Sequence, residues 1–243
     1  SILTASGDST ARLWAAASSS KVRVLRGHED RVNSAVYSPD GRFILTASRD
    51  ATARLWEVVT GAEVSVLRGH EAAVNSAVYS PDGCFILTAS YDHTVRVWNA
   101  ITGKEIRVLR GHESNVNSAV YSPDGRFILT ASADRTVRVW DAATGTEVRV
   151  LHGHTNEVTS TAYSPDGHFI LTTSADTTAR VWDAATGSEV RVLRGHEDKV
   201  DSAVYSPDGR FILTACYDHT ACLWDASTGT EVRILRGHDR SVS

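Results

Sequence analysis

The chain has 243 residues, of which 22% are charged, and its formal net charge is −4 with no block of like charge. This mild, mixed acidity argues against nucleic acid as a partner, because phosphate binding needs a concentrated basic patch. No apolar run approaches the roughly 18 residues of a membrane span, so we expect a soluble protein without a membrane partner. Three scattered cysteines are too few for a disulfide-rich secreted fold and favour a reducing compartment, the cytoplasm. The absence of methionine suggests a processed or excised piece of a longer protein.

One repeat unit dominates the sequence. Gly-His pairs recur every 42 residues, at 27–28, 69–70, 111–112, 153–154, 195–196 and 237–238. Tryptophan follows the same period, at Trp14, Trp56, Trp98, Trp140, Trp182 and Trp224. Ser-Pro-Asp-Gly and Thr-Gly recur between them at fixed offsets. Periods of this length are typical of repeat architectures in which each unit is one supersecondary structure.

In chain order, the unit predicts short strands bounded by turn residues. Residues 32–37 and 43–48 form a hairpin around Ser38-Pro39-Asp40-Gly41, in which proline presets φ and Gly41 accepts a positive φ. A turn at 50–52 leads to the strand that carries Trp56, and Thr60-Gly61 returns the chain along 63–68. Each unit is therefore predicted to be a four-stranded antiparallel blade. Such a blade has two apolar faces, so neighbouring blades must stack, and closing the stack into a ring predicts a propeller.

These residues resemble the WD40-repeat β-propeller family. The pattern of Gly-His, a Ser/Thr-rich strand, Asp and then Trp followed by an acidic residue covers essentially the whole chain, at a period typical of that family. Trp-Asp is literal at Trp140, Trp182 and Trp224, whereas Ala15, Glu57 and Asn99 follow the other three tryptophans. The resemblance implies an all-β, WD40-type propeller fold.

Counting units predicts six blades in one domain, 1–243, with five complete blades and one that is split between the termini and incomplete. If the ring closes, His238 should lie beside Asp8 and Trp14. Family habit favours seven blades, so the chain could instead continue into a longer parent. Self-association through the incomplete blade is a further expectation.

The resemblance also implies a structural tetrad of His, Ser, Asp and Trp in each blade. Because the set recurs in every blade, it indicates a structural element and not a catalytic triad. The predicted tetrad residues are His28, Ser48, Asp50, Trp56; His70, Ser90, Asp92, Trp98; His112, Ser132, Asp134, Trp140; His154, Ser174, Asp176, Trp182; His196, Asp218, Trp224; and His238, Asp8, Trp14. Cys216 replaces the serine in one blade, which should make that blade the loosest.

We expect no catalytic, cofactor or metal site. Cys216 and Cys222 lack Cys-x-x-Cys spacing, so zinc is not expected, and they are expected to be free thiols even if they face each other across a hairpin. His93 and His219, each in a Tyr-Asp-His-Thr segment, are expected to be solvated turn residues.

Comparing the units with one another identifies three variable positions: the third and fifth residues after the histidine, and the residue before the tetrad aspartate. These positions lie in or next to loops at one end of the ring, where the resemblance implies partner contacts. The predicted partner-binding residues are Arg31, Asn33, Arg49, Ala73, Asn75, Tyr91, Asn115, Asn117, Glu157, Thr159, Lys199, Asp201 and Tyr217. Tyr and Arg dominate interface hot spots, so Tyr91, Tyr217, Arg31 and Arg49 are the expected anchors. Drift of solvated loop residues is the alternative explanation.

The leading hypothesis is a non-catalytic scaffold that presents this variable face to a protein or peptide. The alternative is a structural or engineered repeat array with no specific ligand. An enzyme or small-ligand receptor that uses the central channel is the third and weakest hypothesis.

Overall fold

The computed structural model describes residues 1–15, 21–238 and 242, and over these residues the backbone consists of strands, turns and loops without a helix. None of the described segments could therefore cross a membrane as a long apolar helix. Their strands form six antiparallel sheets, the first with three strands and each of the others with four, as predicted for the repeat.

The strand bounds follow the 42-residue period. In the first sheet they are β1 (Ile2–Ala5), β2 (Thr10–Trp14) and β3 (Lys21–Arg26), and in the second β4 (Val32–Tyr37), β5 (Phe43–Ser48), β6 (Ala53–Glu57) and β7 (Glu63–Leu67). In the third they are β8 (Val74–Tyr79), β9 (Phe85–Ser90), β10 (Thr94–Asn99) and β11 (Glu105–Arg110), and in the fourth β12 (Val116–Tyr121), β13 (Phe127–Ser132), β14 (Val137–Asp141) and β15 (Glu147–Leu151). In the fifth they are β16 (Val158–Tyr163), β17 (Phe169–Ser174), β18 (Ala179–Asp183) and β19 (Glu189–Leu193), and in the sixth β20 (Val200–Tyr205), β21 (Phe211–Cys216), β22 (Ala221–Asp225) and β23 (Glu231–Leu235). The predicted hairpin strands 32–37 and 43–48 are confirmed, and β7 ends one residue earlier than predicted.

Each sheet is a meander in which consecutive strands pair, so its loops emerge at two opposite ends. We call one the histidine end; it carries the Gly-His loop and the turn between the second and third strands, which in the second sheet are residues 27–31 and 49–52. We call the other the proline end; it carries the Ser-Pro-Asp-Gly and Thr-Gly turns, which in the second sheet are residues 38–42 and 58–62. The variable positions chosen from the sequence therefore lie at or beside the histidine end of their own sheets.

The Ser-Pro-Asp-Gly turn has the predicted mechanism. The Gly41 N–H donates to the Ser38 carbonyl oxygen at 2.9 Å, and Gly41 has a φ of 70°, a conformation that costs glycine little. The Ser38 hydroxyl donates to the Asp40 carboxylate at 2.6 Å and accepts the Phe43 N–H at 2.9 Å. The side chains thus satisfy backbone groups that the reversal would leave without partners.

The core consists of layers between neighbouring sheets. Leu45 and Leu67 of the second sheet pack with Ile86 and Trp98 of the third, and all four are nearly or fully buried. In the fifth and sixth sheets Leu171 packs in the same way in a cluster with Ile212, Cys222 and Trp224. Fully burying one such side chain contributes about 1.5–3 kcal/mol, so the stacking predicted from the two apolar faces is the main stabilising term.

The chain divides into two compact units, Ser1–Ala119 and Val120–Ser243, and the boundary falls within β12. The prediction that residues 1–243 form one domain stays a prediction. So does the closure contact of His238 with Asp8 and Trp14, because these residues belong to different units. Self-association through the incomplete blade likewise stays a prediction.

Candidate functional site

A hydrogen-bond chain fastens the histidine end of the second sheet. The Trp56 indole N–H donates to the Thr46 hydroxyl at 2.8 Å, and Thr46 Oγ1 lies 2.8 Å from His28 Nε2. His28 Nδ1 lies 2.7 Å from the Asp50 carboxylate. With a neutral imidazole, the threonine hydroxyl donates to Nε2 and Nδ1–H donates to Asp50. Both ring nitrogens, the hydroxyl and the indole N–H therefore have hydrogen-bond partners. The chain joins the Gly-His loop to β5, β6 and the turn between them.

The same arrangement recurs in three more sheets. His70, His154 and His196 lie 2.7 to 2.9 Å from their aspartates, Asp92, Asp176 and Asp218, and 2.7 to 2.8 Å from the hydroxyls of Thr88, Thr172 and Thr214. The indoles of Trp98, Trp182 and Trp224 donate to those hydroxyls at 2.8 to 2.9 Å. The prediction that each of these histidines binds the aspartate of its own blade is confirmed.

Serine is not the linking residue, so the predicted composition of the tetrad is wrong at this position. The Ser48 hydroxyl donates to the Asp30 carbonyl oxygen at 3.0 Å and accepts the Asp50 N–H at 3.1 Å, which supports the turn but does not reach Trp56. Cross-strand register explains the difference: Trp56 lies opposite Ile44, and its indole reaches diagonally to Thr46. Ser90 and Ser174 form the same kind of bond as Ser48. Their hydroxyls donate to the carbonyl oxygens of Ala72, at 3.1 Å, and of Asn156, at 3.2 Å.

The same correction applies to the blade with Cys216. Its linking residue is Thr214, which is intact, so the premise that a thiol weakens the tetrad there is wrong. The Cys216 thiol takes the serine's place, with Sγ 3.2 Å from the Asp198 carbonyl oxygen and accepting the Asp218 N–H at 3.4 Å.

Two blades are described in part. In the fourth sheet the Trp140 indole donates to Thr130 Oγ1 at 2.9 Å, Ser132 accepts the Asp134 N–H at 3.0 Å, and His112 is buried. In the first sheet the Trp14 indole donates to Thr4 Oγ1 at 2.9 Å, and Asp8 forms an ion pair with Arg12. His238 is exposed. Threonine is therefore the partner of tryptophan in these two sheets as well.

Burial and hydrogen bonding set the charges of the network. Burial alone would raise the pKa of Asp50, but hydrogen bonds from Thr52, His28 and the Glu29 N–H lower it to about 2. Burial also lowers the pKa of His28, although Asp50 opposes the shift. Hence at neutral pH the pair is a carboxylate beside a neutral imidazole. The His28 side chain is 2% exposed and both ring nitrogens are engaged, so it is poorly placed to exchange protons with a substrate.

The variable positions come together at the histidine end. The N–H of the residue before the tetrad aspartate donates to the carbonyl oxygen of the third residue after the histidine, for Arg49 with Arg31 at 2.9 Å and for Tyr91 with Ala73 at 3.0 Å. The same bond joins Tyr217 to Lys199 at 3.0 Å. Arg31, Arg49 and Tyr217 are exposed, whereas Ala73, Tyr91, Asn115, Glu157 and Lys199 are half-buried. These two positions therefore form one contiguous patch in each of these repeats.

Several residues at the remaining variable position, the fifth residue after the histidine, have a different role. The Asn33 amide donates to the Val74 carbonyl oxygen of the next sheet at 3.0 Å, and the Asn75 amide donates to the Asn117 carbonyl oxygen at 2.6 Å. Thr159 makes the equivalent bond to Val200 at 2.7 Å. These half-buried side chains connect neighbouring sheets, and their role as partner contacts stays a prediction. The repeat period could not reveal this, since the acceptor lies 41 or 42 residues away.

The most elaborate patch lies in the second unit. Lys199 Nζ lies 2.9 Å from the Glu157 carboxylate of the preceding repeat and 4.0 Å from Asp201, and it stands 5.5 Å from the centre of the Tyr217 ring. Burial would lower the pKa of Lys199, but Glu157 and Asp201 raise it, so the amine stays charged. We call Glu157, Lys199, Asp201 and Tyr217 the lysine patch. It holds four sequence-predicted residues from two repeats in a fixed arrangement.

The comparison with known families agrees with this geometry. The family model described as WD domain, G-beta repeat matches residues 19–57, 61–99, 103–141, 145–183 and 187–225, which together cover most of the chain. The chain belongs to the WD40 family. WD40 repeats generally mediate protein interactions and scaffolding. No curated protein gives a significant match.

One groove described in this WD40 chain lies away from the variable positions. It has a volume of about 540 Å³ and is lined at the proline end by Pro123, Phe127, Arg149, Tyr163 and His168, among others. A second groove of about 580 Å³ has equivalent walls one repeat later, including Pro165, Phe169, Arg191 and Tyr205. Grooves that recur between successive Ser-Pro-Asp-Gly turns are a consequence of the repeated frame, so they do not single out a ligand site.

The cysteines and the turn histidines are the remaining residues that could carry chemistry. Cys84 is exposed, Cys216 and Cys222 are buried, and all three are free thiols, as expected. Cys222 pairs in register with Thr214 and not with Cys216. Burial raises the pKa of Cys216 to about 12, so its thiol is not an activated nucleophile. His93 and His219 are exposed turn residues, as predicted.

One cluster was missed by the sequence analysis. His196, Cys216 and Asp218 each offer a metal-ligand atom, and these three atoms lie within 4.8 Å of one another. The expectation of no metal site rested on the lack of Cys-x-x-Cys spacing. Spacing along the chain could not reveal a cluster whose members come from a loop, a strand end and a turn.

Proposed function

We propose that this WD40 chain is a non-catalytic scaffold that presents the histidine end of its repeats to a protein or peptide partner. The observation that carries the proposal is the lysine patch, in which an aromatic side chain and three charged groups are already oriented before any partner arrives. Preorganisation of this kind lowers the entropy lost on binding, and aromatic residues that are partly exposed are common binding hot spots. Tyr217, 40% exposed, is the anchor of the proposed contact.

The role as a scaffold without chemistry is supported by the histidines. In the four sheets where the full hydrogen-bond chain is described, the histidine and the aspartate of that chain bind each other, so neither is free to act on a substrate as an acid or a base. The free, buried thiols also support a reducing compartment, and we extend the proposal to a cytoplasmic location.

The test is affinity capture followed by quantitative binding. The purified chain is used as bait, a captured protein is identified and expressed, and its dissociation constant is measured for the wild type and for Tyr217→Ala, Lys199→Ala and Ile101→Ala. Ile101 is 89% exposed at a proline-end turn, so its substitution is the matched control. We expect at least a roughly tenfold loss for Tyr217→Ala and no change for Ile101→Ala.

Two results would count against the proposal. Equal effects of the Tyr217 and Ile101 substitutions would place the contact elsewhere. Failure to capture any specific partner would favour the second candidate function, a structural repeat array without a ligand. That candidate is supported by Asn33, Asn75 and Thr159, since these three residues at one variable position serve to connect sheets.

A further inference from the structure

Two substitutions distinguish the sixth sheet from the other four-stranded sheets. Cys216 stands where the second to fifth sheets have Ser48, Ser90, Ser132 and Ser174. Cys222 stands where the same sheets have Arg54, Arg96, Arg138 and Arg180. Both changes occur in one repeat, and both place a thiol beside the same histidine and aspartate.

Three donors lie close together, and a fourth adjoins one of them. His196, Cys216 and Asp218 have ligand atoms within 4.8 Å of one another, and Cys222 Sγ lies 4.0 Å from His196 Nδ1. His196 and both cysteines are buried, while the Asp218 side chain is 13% exposed. The cluster therefore lies just below the surface, with the carboxylate as its outermost group.

The arginine that Cys222 replaces has an electrostatic role in the other sheets. In the second sheet Arg54 Nη1 lies 2.6 Å from the Glu63 carboxylate, and Arg54 Nη2 lies 3.8 Å from the Asp50 carboxylate. Arg180 has the equivalent contacts with Glu189 and, at 3.9 Å, with Asp176. At the sixth sheet the corresponding carboxylates are Glu231 and Asp218, and the guanidinium between them is absent. In the sixth sheet a thiol, whose sulfur lies 4.0 Å from His196 Nδ1, therefore takes the place of that guanidinium.

We propose that His196, Cys216, Asp218 and Cys222 form a zinc site. Two thiols and an imidazole favour zinc over calcium or magnesium, which prefer sets of oxygen ligands. A tetrahedral zinc ion with bonds of about 2.0–2.3 Å holds its donors about 3.3–3.8 Å apart, so the separations among the donor atoms of His196, Cys216 and Asp218 need to contract by about 1 Å at most.

The hydrogen-bond chain accommodates this change. Nδ1 of His196 must lose its proton to coordinate, and Nε2 then carries the proton and donates to Thr214 Oγ1, now 2.7 Å away. The Thr214 hydroxyl in turn donates to the Cys222 carbonyl oxygen, at 3.3 Å. Thr214 thus fixes the tautomer and the orientation of the His196 ring, as hydrogen-bond partners of zinc-binding histidines commonly do. The balance is Zn²⁺ plus two thiols giving a zinc dithiolate and two protons, with a change of tautomer at His196.

The experiment uses the full chain, reduced and freed of metal with a chelator. Zinc binding is measured by competition with a chromogenic chelator, and Co²⁺ serves as the spectroscopic probe. We expect one zinc per chain, release of about two protons on binding in weak buffer, and a thiolate-to-cobalt charge-transfer band with the visible bands of a tetrahedral ion.

The decisive variant is Cys216→Ser combined with Cys222→Arg. It restores the residue types of the second to fifth sheets, so it should keep the fold, which circular dichroism and the unfolding midpoint check. We expect its zinc binding and cobalt spectrum to fall to background, and zinc to raise the unfolding midpoint of the wild type alone. Cys84→Ser, which removes the exposed thiol, should leave all three readouts unchanged.

Three outcomes overturn the proposal: zinc binding that survives in the double variant, cobalt bands without a thiolate component, or loss of binding in Cys84→Ser. A disulfide between Cys216 and Cys222 in the freshly purified, non-reduced protein, detected by thiol counting and mass spectrometry, would also contradict it, because it would assign the thiols another role.

Discussion

The second and sixth sheets share one sequence frame but differ in how their residues are used. Leu45 of the second sheet is fully buried, whereas its equivalent in the sixth sheet, Leu213, is 38% exposed. The His-Thr-Asp-Trp chain is nevertheless the same in both, with all distances between 2.7 and 2.9 Å. The hydrogen-bond network is therefore a property of a single repeat, while the hydrophobic contribution depends on what packs against that repeat.

The largest expected effect tests the hydrophobic half of this comparison. Leu45→Ala should lower the free energy of unfolding by about 3 kcal/mol or more, because it leaves a cavity in a closed layer. Leu213→Ala should cost about 1 kcal/mol, since part of its side chain is already in water. Urea unfolding of the two variants, followed by tryptophan fluorescence, measures the difference. Equal losses would show that the two leucines are equally covered in solution.

The next prediction concerns the His-Thr-Asp-Trp hydrogen-bond network within one sheet. Thr46→Val removes a hydroxyl and keeps the shape, leaving the Trp56 indole N–H and His28 Nε2 buried without their partner, at a cost of about 2–3 kcal/mol. Ser48→Ala loses the support of a turn, and about 1 kcal/mol is expected. In the sixth sheet Thr214→Val should match Thr46→Val, whereas Cys216→Ala should cost little. A larger loss for Ser48→Ala than for Thr46→Val would restore serine to the tetrad.

This pair of residues also shows how far sequence could predict the structure. Strand bounds and turns are local, so the apolar runs and Ser-Pro-Asp-Gly were sufficient to place β4 and β5. Thr46 and Ser48 are two residues apart on one strand and face the same side, so the pattern could not decide which of them reaches Trp56. The choice depends on register with β6, a property of the paired strands.

The candidate site shows the same limit of prediction from sequence. Internal comparison of the repeats indicated the histidine end, because loops vary where strands cannot. It could not separate Tyr217, which is exposed, from Asn33, whose amide binds the next sheet. The role of Asn33 depends on the stacking of sheets, and the grouping of Cys216 with His196 and Asp218 depends on the meeting of a loop, a strand and a turn.

Acid should weaken the second sheet through its His-Asp pair. The pKa of Asp50 is about 2 in the folded state, below its usual value near 4, so its contribution is present above about pH 4 and is lost as the pH falls towards 2. The pKa of His28 is also lowered, so the unfolded state binds a proton first and stability declines as the pH falls below about 6.5. Both pKa shifts lower the free energy of unfolding as the pH falls, and protonation of Asp50 accounts for a loss of about 2 kcal/mol.

The test compares urea midpoints at pH 7, 5 and 3 for the wild type, Asp50→Asn and Asp40→Asn. Asp50→Asn should be less stable at pH 7 and show a flatter decline below pH 4. Asp40 lies in an exposed proline-end turn, and its substitution should leave most of the acid dependence in place. An unchanged slope in Asp50→Asn would assign the acid sensitivity to other groups.

The smallest effect concerns the turn between the second and third strands, where the two sheets carry different residues in the same strained conformation. Ala51 has a φ of 63° and His219 a φ of 67°, in the left-handed region that costs most side chains about 1–2 kcal/mol. Asparagine and histidine tolerate this region better than alanine does. Ala51→Asn should therefore raise the free energy of unfolding by about 0.5–1 kcal/mol, while His219→Asn should change it very little. Thermal unfolding of the two variants checks the contrast, and an equal gain in both would show that the histidine offers no relief of backbone strain over alanine.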